Sequence, residues 1–200
     1  MDTPDLVAQA SRGDRAALDA LFARHLPGVL AFVRASAGAA LLARDDSLDL
    51  VQSACRELLR DAPPEGWRDE AGFRRWLYLA AERKVLDRAR YHGREKRADA
   101  ARRLTLSEAE VGALSRGWAD LATPSRRAIG REEIERLEAA LARASEADRR
   151  VILLARVAGL SHAEVAAELA TTEANARSAL RRALARLALE LGREPGPDAD

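Results

Sequence analysis

One cysteine, one methionine and three histidines occur in 200 residues, and aromatics make up 4%. Each scarcity closes off a class of chemistry. With Cys55 alone there is no internal disulfide and no multi-cysteine zinc site, and its place in an apolar helical stretch makes it a small core residue. His25, His92 and His162 are scattered without metal-ligand spacing, no glycine-rich phosphate loop occurs, and no nucleophile is paired with a base. The expectation is no enzyme, no cofactor and no metal. Strand-like alternation is missing as well. The opening "MDTPDLVAQASRGD" carries acids and no apolar run of signal-peptide length, and no stretch approaches the roughly 18 apolar residues of a membrane span. A cytoplasmic protein without membrane insertion is expected. The formal net charge is only +1, so the total by itself suggests no polyanion partner.

What is abundant is alanine, leucine, arginine and glutamate, all helix formers, which points to an all-α chain. At 48% hydrophobic content, 200 residues can bury one or two modest cores, so two small helical domains joined by a linker fit best. Asp14 can cap a helix bearing Leu18, Leu21, Phe22 and Leu26, and Val29, Leu30, Phe32 and Val33 extend its buried surface beyond Pro27. Asp46 or Ser47 starts "SLDLVQSACRELLR", which the "APPEG" turn ends. A third helix runs from near Glu70 to Gly93, with Phe73, Trp76, Leu77, Ala80 and Leu86 near one face. Glycines and Pro124 then interrupt residues 104–130, a linker of about 27 residues that reaches roughly 90 Å at ~3.3 Å each. Four helix candidates follow, "EEIERLEAALARA", "EADRRVILLARVA", "HAEVAAEL" and "EANARSALRRALARLALEL", before a tail of disorder-prone composition. The expected division is 1–100, a linker at 101–132, 133–192, and a disordered tail at 193–200.

Charge is unevenly placed. Residues 88–103 hold Arg88, Arg90, Arg94, Lys96, Arg97, Arg102 and Arg103 against Glu95 and Asp99, and Arg177, Arg181, Arg182 and Arg186 form a second cluster. The second lies in a helix-turn-helix. Ser161 with Glu164 three residues on is a capping box, Gly159 ends the preceding helix, and Val165, Ala166 and Leu169 form an inner face. "ATT" turns the chain, Thr172 can cap the next helix, and Leu180, Leu184, Leu187 and Leu191 make its apolar stripe. At about 100° per residue, Ala174, Asn175, Ser178, Arg181 and Arg182 point away from that stripe, with Arg177 on its flank. A recognition helix meets bases and phosphates with such a face. The motif alone does not separate repressor, activator and polymerase subunit.

The ordered set "DLVQ" (Asp49 to Gln52), "FRRWLYLAAERKVLDRARYHGREKR" and "EADRRVILLARVAGLSHAEVAAELATTEANARSALRRALARL" resembles the extracytoplasmic-function (ECF) subfamily of the bacterial sigma-70 family. The likeness spans about residues 12 to 190. It implies a first domain, region 2, that binds the polymerase clamp and melts the minus-10 element, and a last one, region 4, that reads the minus-35 element. Core RNA polymerase and promoter DNA are the implied partners, and the resemblance admits an anti-sigma factor. Asp49, Leu50, Val51 and Gln52 match the clamp-contacting stretch, although Leu50 and Val51 read equally as core. The loop "DAPPEGWRDEAG" falls where such proteins capture a flipped base; Trp67 is then the stacking candidate, or folds back on its own domain. Arg74, Arg75, Arg83, Lys84, Asp87, Arg88 and Arg90 would lie along the helix supporting the opened strand, with Trp76 and Leu77 as core. Asn175, Arg177, Ser178, Arg181 and Arg182 are the minus-35 candidates. Ser53 stands where the family usually has an acid, and Asn175, Ala176 and Ala179 also depart from its pattern, which puts promoter affinity in question. A transcriptional regulator that binds DNA without joining polymerase is the alternative reading.

Overall fold

Apolar side chains at helical spacing on both sides of Pro27 make one helix, not two. The computed structural model describes residues 3–42, 47–60, 67–94, 114 and 131–192. In it, helix α2 spans Arg15–Leu42 without a break at the proline. Proline in a helix interior removes one hydrogen bond and crowds the preceding turn. The helix continues because Leu21, Val29, Leu30, Phe32 and Val33 are all 2% exposed or less. Asp14 caps it as expected, its carboxylate accepting the Ala17 N–H at 3.1 Å.

Over residues 15–37, α2 is long and apolar enough to cross a membrane by length and composition, which corrects the expectation that no stretch comes near. In the fold it is the central helix of a bundle. Helix α1 (Thr3–Ser11), which the sequence pattern did not announce, lays Leu6, Val7 and Ala10 against it. Helices α3 (Ser47–Arg60) and α4 (Glu70–Arg94) pack on α2 and on each other. Gly28 is needed at the α2–α4 crossing, because a side chain there would collide with the Tyr78 hydroxyl.

In the C-terminal half, α5 spans Arg131–Arg143, starting two residues before the anticipated boundary at 133. Helix α6 (Glu146–Ile152), capped by the Ser145 side chain, runs on into a π-helical turn at Leu153–Val157. Helices α7 (His162–Glu168) and α8 (Glu173–Gly192) complete it. The two halves share one continuous apolar core, since α2 also packs on α5, α6 and the π-turn. Asp46, the loop 61–66, the basic tract after Arg94, the linker apart from Leu114, and the tail 193–200 lie outside the described residues. Leu114 is helical and fully buried in the shared core.

Candidate nucleic-acid interface

The helix-turn-helix is built by local chemistry that the sequence displays. Ser161 Oγ accepts the Glu164 N–H at 3.3 Å, and the Glu164 carboxylate accepts the Ser161 N–H at 2.8 Å, a reciprocal capping box. Gly159 precedes it with φ +66°, and the Leu160 N–H closes back on the Leu154 carbonyl at 3.0 Å. At the inter-helix turn the left-handed residue is Ala170, with φ 49°, an unusual choice that costs about 1–2 kcal/mol relative to glycine. The Thr171 N–H bonding to the Ala166 carbonyl at 2.9 Å helps to hold it. Thr172 then caps α8, accepting the Asn175 N–H at 3.2 Å.

Ala176, Leu180, Ala183 and Leu187 form the buried stripe of α8. Opposite it, Asn175, Arg181 and Arg182 are exposed, and Ser178 is half-buried. Asn175 Nδ2 donates to Thr171 Oγ1 at 3.3 Å. The rest of the arginine cluster is less free than its sequence suggests. Arg177 is paired with Glu173 one turn back at 2.7 Å, and Arg186 forms a two-pronged bond to Asp148 at 2.7 and 2.5 Å. The Arg186 hydrogen bonds, and secondarily that of Ser145, hold the Asp148 carboxyl below the usual carboxylate range.

On the N-terminal half, Asp49 and Gln52 are exposed while Leu50 and Val51 are 2% and 1% exposed. Successive helix positions turn by about 100°, and α3 spends these two on the core. Leu48, which the sequence reading passed over, lies on the outer side at 39% exposure. Trp67 folds back onto its own domain. Its ring centroid lies 5.0 Å from Phe73 and 4.9 Å from Trp76, and its backbone exchanges hydrogen bonds with Ser11 at 2.9 and 3.0 Å. The indole Nε1 is buried and finds no acceptor among the described residues. Trp76 is half-buried in this cluster and Leu77 is core.

Along α4, Arg83 donates to the Leu79 carbonyl, Lys84 is paired with Glu57 of α3, Arg90 with Asp87, and Arg88 lies over the Tyr91 ring. Arg74 and Arg75 reach the other half of the molecule. Arg74 donates to the Gly159 carbonyl at 2.8 Å, and Arg75 to Glu168 at 2.6 Å. Two further links were invisible in the sequence: Arg34 of α2 grips Glu138 of α5 with both prongs (2.8 and 2.7 Å), and Arg150 of α6 grips Glu82 of α4 (2.6 and 3.2 Å).

Residues 134–187, which contain the whole helix-turn-helix, match the family described as Sigma-70, region 4. The ECF RNA polymerase sigma factor SigD of Mycobacterium tuberculosis is 31% identical over 187 residues, covering 93% of this chain and 82% of that protein, and SigD of Mycobacterium bovis matches equally. The chain belongs to the ECF sigma factors of the sigma-70 family. It is a sigma factor that binds core RNA polymerase and directs promoter-specific transcription initiation, and not a regulator that acts without polymerase. The fold of this sigma factor is also that of CnrH, solved in complex with the cytosolic domain of CnrY, at 24% identity and a TM-score of 0.55 over 94% of this chain and 96% of that one.

Proposed function

We propose that three surfaces carry the initiation function. Core polymerase docks on the outer side of α3, where Leu48, Asp49 and Gln52 combine an apolar patch with hydrogen-bonding groups; Leu50 and Val51 fix the helix from beneath. The opened minus-10 strand follows α4, with Arg74, Arg75, Arg83, Lys84, Asp87, Arg88 and Arg90 along it and Trp67 anchoring the end of the base-capturing loop. The minus-35 duplex is read by α8 through Asn175, Arg177, Ser178, Arg181 and Arg182. The observation that carries this reading is the outward face of α8, where Arg181 and Arg182 stand exposed opposite a buried stripe at the N-terminal half of the second helix.

Promoter DNA and core polymerase are therefore the partners, and the cytoplasm, where both are found, is the place of action. CnrH was solved in complex with the cytosolic domain of CnrY, which supports a protein partner of the anti-sigma kind here as well. The direct test titrates reconstituted holoenzyme against a set of minus-35 variants. Arg182→Ala loses about 1–3 kcal/mol, concentrated at one base position, as expected for a bidentate contact to guanine. Arg177→Ala, acting at a phosphate, weakens every variant alike and lowers the salt slope by about one. A uniform loss from Arg182→Ala, or an unaltered profile, refutes this orientation of α8.

A further inference from the structure

The four arginines of α8 are held in unlike ways. Arg181 and Arg182 stand exposed on the outward face. Arg177 is paired with Glu173 of the same helix through one contact of 2.7 Å, and the two side chains are 62% and 52% exposed. An exposed pair one helical turn apart contributes little net attraction, and its arginine passes readily to another anion. Arg186 is held from a different helix. Its Nε at 2.7 Å and Nη2 at 2.5 Å bond to both carboxylate oxygens of Asp148 on α6, 38 positions away. Asp148 is itself fixed in place: its side chain is 16% exposed, and its N–H bonds to the Ser145 hydroxyl that caps α6. The Arg186 hydrogen bonds, ahead of that of Ser145 and the charge of Arg182, keep the carboxyl ionised against the effect of burial. Two more links tie the same end of α8 to α5, Arg143–Glu190 at 3.2 Å and Arg136 to the Leu191 carbonyl at 3.0 Å.

Resting on the reading of α8 as the minus-35 helix, we propose that Asp148 is a positioning residue for promoter binding: it withholds Arg186 from the DNA backbone and so limits binding that carries no sequence information. Arg186 lies four residues beyond Arg182, about 6 Å along the helix and about 40° around it. A free arginine at that place joins the phosphate contacts beside the groove, and such a contact strengthens binding to every sequence alike. Asp148 removes that increment. Its two-pronged bond is the geometry in which guanidinium and carboxylate bind most strongly, whereas Glu173 offers Arg177 a single contact. Moving Arg186 to a phosphate would exchange one anion for another and leave an unpaired carboxylate close to the polyanion, where it is repelled. Arg177 is therefore the paired arginine that reaches DNA, and Arg186 is the one kept back. The base contacts of Arg182 then make up a larger share of the binding than four free arginines would allow.

The test titrates reconstituted holoenzyme against promoter duplexes and a mixed-sequence duplex over a range of salt. Asp148→Asn keeps the shape of the side chain and removes its charge. It should tighten binding to every duplex by the same factor, roughly eightfold at ~0.1 M salt, and steepen the salt slope by about 0.9, the value of one phosphate contact. Asp148→Asn combined with Arg186→Gln leaves the net charge of the chain unaltered, and it should return the slope to that of the unaltered holoenzyme. Loss of packing cannot produce that reversal. Circular dichroism of the free chain checks that helicity is kept, and if Asp148→Asn alone does not fold, the double variant decides. An unchanged slope in Asp148→Asn shows that Arg186 has no phosphate to reach, and a slope lowered by about 0.9 in the double variant shows that it already touches one; either overturns the proposal. The reading of α8 fails separately, if the unaltered holoenzyme shows no preference among minus-35 variants.

Discussion

Replacing Trp67 by alanine separates packing from base capture. The indole makes an edge-to-face contact with Phe73 and a tilted one with Trp76, at centroid distances of 5.0 and 4.9 Å. Aromatic pairs contribute about 0.5–1.5 kcal/mol each beyond the area they bury, so the two together amount to about 1–3 kcal/mol. Truncating a fully buried aromatic costs about 3–5 kcal/mol; Trp67 is half-buried, so the expected loss is about 2–3 kcal/mol. At ~2–4 °C per kcal/mol for a chain of this size, the melting temperature falls by roughly 5–10 °C. Trp67→Phe keeps one ring against Phe73 and loses about 1 kcal/mol. Thermal unfolding followed by circular dichroism measures both. Promoter opening is then assayed by permanganate reactivity at a temperature where every variant is folded, and packing alone predicts equal opening. A melting temperature within ~1 °C of the unaltered chain, together with weaker opening by the ~1–3 kcal/mol of one stacked base, refutes the packing argument and makes the indole a base platform.

Two other substitutions probe the core and the seam. Gly159→Ala forces a side chain into a φ of +66° and into the Arg74 guanidinium; it should destabilise by about 1–2 kcal/mol in urea titration, and a neutral result contradicts the conformation described. His25 is buried against Phe73 and Glu70, and burial first, then Arg74 and Arg24, lowers its pKa from 6.5 against the opposing pull of Glu70. A base whose folded pKa is depressed binds its proton less well when folded, so its stability contribution is complete above about pH 6.5 and is lost as pH falls below it. Unfolding midpoints at pH 7.5 and 5.5 should therefore differ more for the native chain than for His25→Gln, and equal differences count against a buried neutral imidazole.

The helix-turn-helix was legible because its instructions are local. Ser161 and Glu164 stand three residues apart, Gly159 sits where a left-handed turn is required, and Thr172 opens α8; each acts on backbone groups within one turn of itself. The stripe of α8 was legible in part from the 3.6-residue period: Leu180 and Leu187 are buried as expected, but Ala176 and Ala183 complete the stripe while Leu184 and Leu191 are only half-buried. The lower signal at α1 is explained by its nine residues, too few turns for a pattern to stand out although Leu6 and Val7 are buried. Pro27 did not break α2, as the apolar residues on either side of it announced, because their burial outweighs a local helix breaker.

What the sequence by itself determined is thus the all-α class and the C-terminal helices, which rest on spacing and composition, and the family, which rests on the resemblance of its ordered motifs to known members. The tertiary structure alone decided which charges are available. Arginines read as a cationic face until their partners are known, and those partners are distant: Asp148 lies 38 positions from Arg186, Glu168 lies 93 from Arg75, and Glu138 lies 104 from Arg34. It also decided that Leu50 and Val51 turn inward and that Trp67 joins the Phe73 cluster. Helical periodicity says which residues share a face, but only the packing of one helix on another says which face is buried, and only the meeting of the two halves says which ions are neutralised.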